Sequence, residues 1–161
     1  MKNLFLVLII FIGGLVTSQA QDYDSAIGLR LGYPTSITYK KFVSENNAFE
    51  AYGGIRGIGV GTSIRANIAY LIHTELGSTE GLKWYYGGGV GVAFYTFDTG
   101  FGGDTGTSFT VSGYLGLEYT LPDVPVSFSL DWSPTYFLGG FGNGFGADGG
   151  ALAVRYILGR E

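Results

Sequence analysis

A chain of 161 residues with no cysteine and a formal net charge of −4 excludes a disulfide-held fold and shows no basic surface for nucleic acid. Charged residues make up 14% of it, against about 25% in an average soluble domain, which leaves too little charge for a large water-facing surface. Glycine fills 29 positions, but aromatics at 16% are too abundant for a disordered Gly-rich chain.

Lys2 precedes a largely apolar run from Leu4 to Val16, and the small residues of Thr17-Ser18-Gln19-Ala20 follow. This pattern predicts a secretory signal peptide over residues 1–20. A membrane helix needs about 20 apolar residues, and this run has 13 positions, two of them glycine. A single domain, 21–161, is expected to remain, with its net charge taken to −5 by the loss of Lys2.

Beyond Ala20 no sustained helical period occurs, and turn residues recur at short intervals. Alternation predicts strands near 25–33, 36–43, 48–56, 59–72, 82–96, 108–121, 125–133 and 148–158. The first three are the least regular, since Lys41 interrupts the apolar phase of the second and Gly53 dilutes that of the third. In the fifth, Leu82, Trp84, Tyr86, Val90, Val92 and Phe94 oppose Lys83, Tyr85, Gly87, Gly89, Gly91, Ala93 and Tyr95. In the sixth, Phe109, Val111, Leu115, Leu117, Tyr119 and Leu121 oppose Thr110, Ser112, Tyr114, Gly116, Glu118 and Thr120. The seventh and eighth repeat the pattern, with Val126, Phe128, Leu130 and Trp132 against Ser127, Ser129 and Asp131, then Leu152, Val154 and Tyr156 against Ala151, Ala153 and Arg155.

Such strands fit an all-β fold, an eight-stranded antiparallel transmembrane up-and-down β-barrel, because about 9–11 tilted residues cross a bilayer. A soluble lipocalin-like calyx also alternates, with its apolar phase inward. The polar phase here is full of small residues such as Gly28, Gly32, Gly87, Gly89, Gly91, Gly116 and Ala153, which suit a crowded interior and make a poor wet surface. On the apolar phase, aromatics gather near strand ends, and Trp84, Tyr119, Trp132 and Tyr156 are expected in two membrane girdles. An even strand count puts both termini in the periplasm, 44–47 and 122–123 at inner turns, and 97–107 and 134–147 outside. The aromatics of those outer loops, Phe97, Phe101, Tyr136, Phe137, Phe141 and Phe145, either contact an extracellular ligand or line the rim and fold over the mouth; the second is preferred.

The inward phase carries Arg30, Lys40, Glu50, Arg56, Arg65, Lys83, Glu118, Asp131 and Arg155. Unpaired charges in a low-dielectric interior are costly, so a lumen network is expected in which three carboxylates are shared among the cations, with Tyr52 and Tyr114 taking part. Eight strands leave room only for side chains, so this is a structural polar core and not a conducting pathway. No catalytic, metal or cofactor site emerges. His73 is the sole histidine and falls in the predicted 72–81 connection as a loop-surface residue, and zinc wants three or four ligands. No serine is evidently paired with it for hydrolysis. Gly87-Gly88-Gly89 has no following Lys-Ser/Thr, so it is no phosphate loop.

The segments Gly81–Gly89 (GLKWYYGGG) and Gly116–Pro134 (GLEYTLPDVPVSFSLDWSP) resemble parts of uncharacterised outer-membrane barrels common in Bacteroidota. The mature chain as a whole is similar to the small eight-stranded family that includes the transmembrane domain of outer membrane protein A and its smaller relative X. The resemblance implies a bacterial outer-membrane location, outer-membrane lipid around the barrel, insertion by the barrel assembly machinery, and no agreed activity. That machinery often reads a terminal aromatic; here Tyr156 is followed by Leu158-Gly159-Arg160-Glu161, so either Tyr156 serves or recognition is looser. The expected role is structural or surface-interaction, without enzymatic activity; the alternatives are a lipid-modifying enzyme and, third, the soluble calyx.

Overall fold

A computed structural model describes residues 23–59, 61–97, 100, 104–140 and 143–159. The expected signal peptide, 1–20, and the loop residues Phe101 and Phe141 lie outside the described residues. Among the described residues ten strands form: β1 (Ser25–Gly32), β2 (Thr35–Phe42), β3 (Asn47–Gly57), β4 (Gly61–Glu75), β5 (Leu82–Phe97), β6 (Thr105–Thr120), β7 (Val126–Trp132), β8 (Thr135–Leu138), β9 (Gly144–Gly146) and β10 (Gly150–Gly159). Every pairing is antiparallel, β1 joins β10, and β5 joins β6, so β1–β7 and β10 close an eight-stranded barrel.

Closure leaves no free edge strand among the eight strands of the barrel, and the pleat sends alternate side chains to opposite faces. Outward go Leu29, Ile37, Ile68, Val90, Leu115, Leu117, Leu130 and Leu152, all substantially exposed. Inward go the buried Thr38, Lys40, Glu50, Tyr85, Tyr114, Glu118, Ser129 and Arg155. The exterior of this barrel is therefore apolar and its interior polar. Lys41, the interruption in the apolar phase of β2, is exposed, while its neighbour Phe42 turns inward.

The two short strands β8 and β9 lie where the sequence predicts only loop. Pro134 breaks the alternation after β7, yet its carbonyl accepts from the Gly113 amide at 3.0 Å, and β8 then carries on along β6 from Ser112↔Thr135 to Phe109↔Leu138. Proline interrupts the strand without ending the ladder, because only its missing N–H is lost. Four and three residues are too few for alternation to register in the sequence.

Interior crowding accounts for the glycines of the inward phase. A Cβ on Gly116 would lie 2.6 Å from Tyr85 Cζ and 2.8 Å from the Leu130 carbonyl oxygen, and one on Gly91 would lie 2.1 Å from Asn67 Oδ1. Outward-facing Gly88 meets nothing nearer than the Ser112 carbonyl oxygen at 3.7 Å. Overpacking of a filled interior costs about 1–3 kcal/mol or more. Gly116→Val is therefore expected to weaken or abolish the compact, heat-modifiable band on unheated gels, while Gly88→Val preserves it.

Candidate functional site

The barrel interior divides into three levels between the terminal end, where β1 begins and β10 finishes, and the opposite mouth. At the terminal end, Tyr23, Ala26, Phe42, Ala48 and Ile157 form an apolar floor. The Tyr23 and Phe42 rings meet edge to face at 4.9 Å. His73 joins this level, and its predicted position in a surface loop is corrected here. β4 runs on to Glu75 and keeps its phase through Ala69, Leu71 and His73, so the imidazole is buried between Phe42 at 4.9 Å and Tyr85 at 5.0 Å. Neither ring nitrogen has a well-aligned hydrogen-bond partner among the described residues.

The middle level is a charged network. Glu118 accepts hydrogen bonds from Lys40 Nζ and, at 2.6 Å, from the Tyr23 hydroxyl. Arg155 donates to Glu50 at 2.5 Å and to Ser129 at 2.8 Å, and it lies 3.6 Å from Glu118. Thr38 donates to Glu50 at 2.7 Å. Arg30 grips Asp131 with two bonds of 2.6 Å each and stands 3.7 Å from Glu50, and the Tyr85 hydroxyl donates to Asp131 at 2.8 Å. Three carboxylates thus face Arg30, Lys40 and Arg155, and the fork geometry of Arg30 matches its carboxylate. Lys83, also predicted inward, is buried near the terminal end, where its strand position lies opposite Glu118. Above Asp131, Arg30 stacks on the Tyr52 ring at 4.7 Å, and Tyr52 shares a 2.6 Å hydrogen bond with Tyr114.

The third level is the mouth opposite the termini. Arg56 and Arg65 belong to the inward phase as the sequence predicts, but they stand apart from the network and are only half-buried. Arg56 lies over the Tyr33 ring at 3.8 Å and Arg65 over Phe137 at 4.9 Å. Together with Asn67, Thr110 and Asp148 they line a cavity of about 130 Å³. The loop aromatics divide here. Phe137, opposite inward-facing Thr110 on the ladder, folds over the mouth, whereas Tyr136 and Phe145 face outward.

On the outside, Tyr156 and Trp132 are half-exposed, and the Trp132 indole donates to the Ala147 carbonyl at 2.7 Å. Trp84 and Tyr119 are half-buried, and Trp84 stacks on Tyr86 at 5.4 Å. Trp84, Tyr119 and Tyr156 ring the terminal end, and Trp132 sits toward the opposite one. Among the described residues, no three His, Asp or Glu side chains gather as metal ligands.

Sequence reasoning missed several network members. Thr38, Tyr85 and Ser129 were legible as inward-facing residues but lacked any mark of their partners. Tyr23 precedes the first strand, and nothing local points to its bond with Glu118.

Fold and interior together define a closed eight-stranded antiparallel β-barrel with an apolar exterior and a charge-paired, side-chain-filled lumen. No protein-family model and no curated protein matches the chain.

Proposed function

We propose that the chain is a bacterial outer-membrane β-barrel of the small eight-stranded type, similar to outer membrane protein A and its relative X and to barrels of Bacteroidota. Its role is structural or surface-interaction, without catalysis. The observation that carries this reading is the inversion of polarity. Leu29, Leu117, Leu130 and Leu152 are each about half exposed or more, while Glu50, Glu118 and Arg155 are buried. A contiguous apolar exterior of this extent is a liability in water and a match for lipid. Aromatics near both ends of that surface fit the interfaces of a bilayer.

The end where β1 begins and β10 finishes then faces the periplasm and the opposite mouth faces outside, where the exposed Tyr136 and Phe145 offer contacts to an extracellular ligand. Outer-membrane lipid surrounds the barrel, and the assembly machinery inserts it. A lipid-modifying enzyme would want a base near the outer rim, but the sole histidine is packed at the other end. A soluble calyx would want its apolar phase inside.

Fractionation of expressing cells tests the reading. The protein is expected in the detergent-extracted outer-membrane fraction, migrating faster unheated than boiled. Recovery of monodisperse protein without detergent would sink it.

A further inference from the structure

We propose that the mouth opposite the termini is a binding site for a phosphorylated sugar, held through its phosphate by Arg56 and Arg65. The contrast between the two upper levels of the lumen carries this. In the network below, Arg30, Lys40 and Arg155 each meet at least one carboxylate. At the mouth, neither Arg56 nor Arg65 has an acidic partner within 4.0 Å among the described residues. Each also keeps a buried Nε without a hydrogen-bond partner. Two guanidinium groups lining one cavity repel each other, and an anion between them relieves the repulsion and supplies the missing acceptors.

Geometry favours a phosphate on a small polar carrier. Stacking on Tyr33 and Phe137 holds the two guanidinium planes through their faces; Arg65 also meets the Tyr95 hydroxyl, which leaves the edge N–H groups of Arg56 and the remaining ones of Arg65 to donate. The cavity of about 130 Å³ is several times the roughly 15 Å³ that one water needs on the same measure, which leaves room for one phosphate and the first atoms of its carrier. Below it stand the Thr110–Asn67 bond at 3.2 Å and the Tyr52–Tyr114 bond at 2.6 Å, so a ligand enters from the mouth. Asp148, on the lining with no cation paired to it among the described residues, is placed to accept from a sugar hydroxyl, and the Phe137 ring offers an apolar face to the sugar C–H groups.

The surface-interaction reading determines only that the ligand arrives from outside the cell; binding itself does not depend on it. The test uses the full barrel folded in zwitterionic detergent, titrated calorimetrically with glucose 6-phosphate, inorganic phosphate and glucose, and separately with micelles containing lipopolysaccharide. Saturable binding of a phosphate-bearing probe is expected, with glucose inert. Binding of glucose 6-phosphate assigns a soluble source, and binding of lipopolysaccharide alone assigns a lipid-borne one. Arg56→Gln and Arg65→Gln are each expected to weaken binding about tenfold, since one charge-assisted bond is worth at least about one decade. The double variant is expected to lose binding, and Arg56→Lys to recover part of it. Heat-modifiable migration of each variant shows that the barrel is intact, and the single variants carry the test if the double does not fold. Absence of phosphate-dependent binding, or equal affinity in the wild type and an intact Arg56→Gln or Arg65→Gln barrel, would overturn the proposal and leave the outer-membrane reading standing. Recovery of the protein without detergent would do the reverse.

Discussion

Arg155→Met is expected to destabilise the barrel by about 3–5 kcal/mol, the range for stripping one partner from a buried ion pair. Arg155 is fully buried, donates to Glu50 at 2.5 Å and stands 3.6 Å from Glu118. Its removal leaves Glu50 leaning on Arg30 at 3.7 Å and the Thr38 hydroxyl, and Glu118 on Lys40 and Tyr23. Methionine fills much of the volume, so most of the loss is electrostatic. Ser129 also loses the donor that reaches it at 2.8 Å. Urea titration of the folded barrel in detergent, followed by the heat-modifiable band, measures the loss. Glu45→Gln, an exposed change in the β2–β3 turn, serves as the control and is expected to stay within about 0.5 kcal/mol. A change at Arg155 as small as the control's would mean that the network contributes little to stability.

Leu130→Arg is expected to cost about 2–4 kcal/mol in a lipid bilayer, the range for a cation on the lipid face at mid-depth. Leu130 is 61% exposed and lies on the ladder between Leu117 and Leu152, with Phe128 toward one end of the surface and Trp132 toward the other. The same exposure in a water-soluble barrel would make the substitution close to neutral. Urea unfolding in phosphatidylcholine vesicles separates the two, and Tyr156→Arg, near the rim, is expected to cost less because the penalty fades to about 0–1 kcal/mol at the interface. Equal, near-zero effects at both positions would remove the physical basis for a lipid-facing exterior.

Most of the strand plan was legible in the sequence because alternation is a local consequence of the pleat. β5 and β6 have polar partners such as Tyr85 and Glu118 every second residue, and the structure adds only a few residues at their ends. The misplacement of His73 came from ending β4 three residues early, although Ala69, Leu71 and His73 keep one phase throughout. β8 escaped notice for a different reason. Its four residues are held by the ladder of β6, and the proline before them reads locally as a stop.

By itself, then, the sequence determined that the chain forms two-faced strands and which side chains share the inner face, since these depend only on neighbours two residues apart. Only the tertiary structure decided which of those side chains meet. Arg30 reaches Asp131 across 101 residues, Arg155 reaches Glu50 across 105, and Tyr23 reaches Glu118 across 95. Those meetings depend on how the strands are staggered when the sheet closes, a property of all eight registers together. The same closure left Arg56 and Arg65 above the last carboxylate of the network, which turned two members of an expected core into the walls of an open cavity.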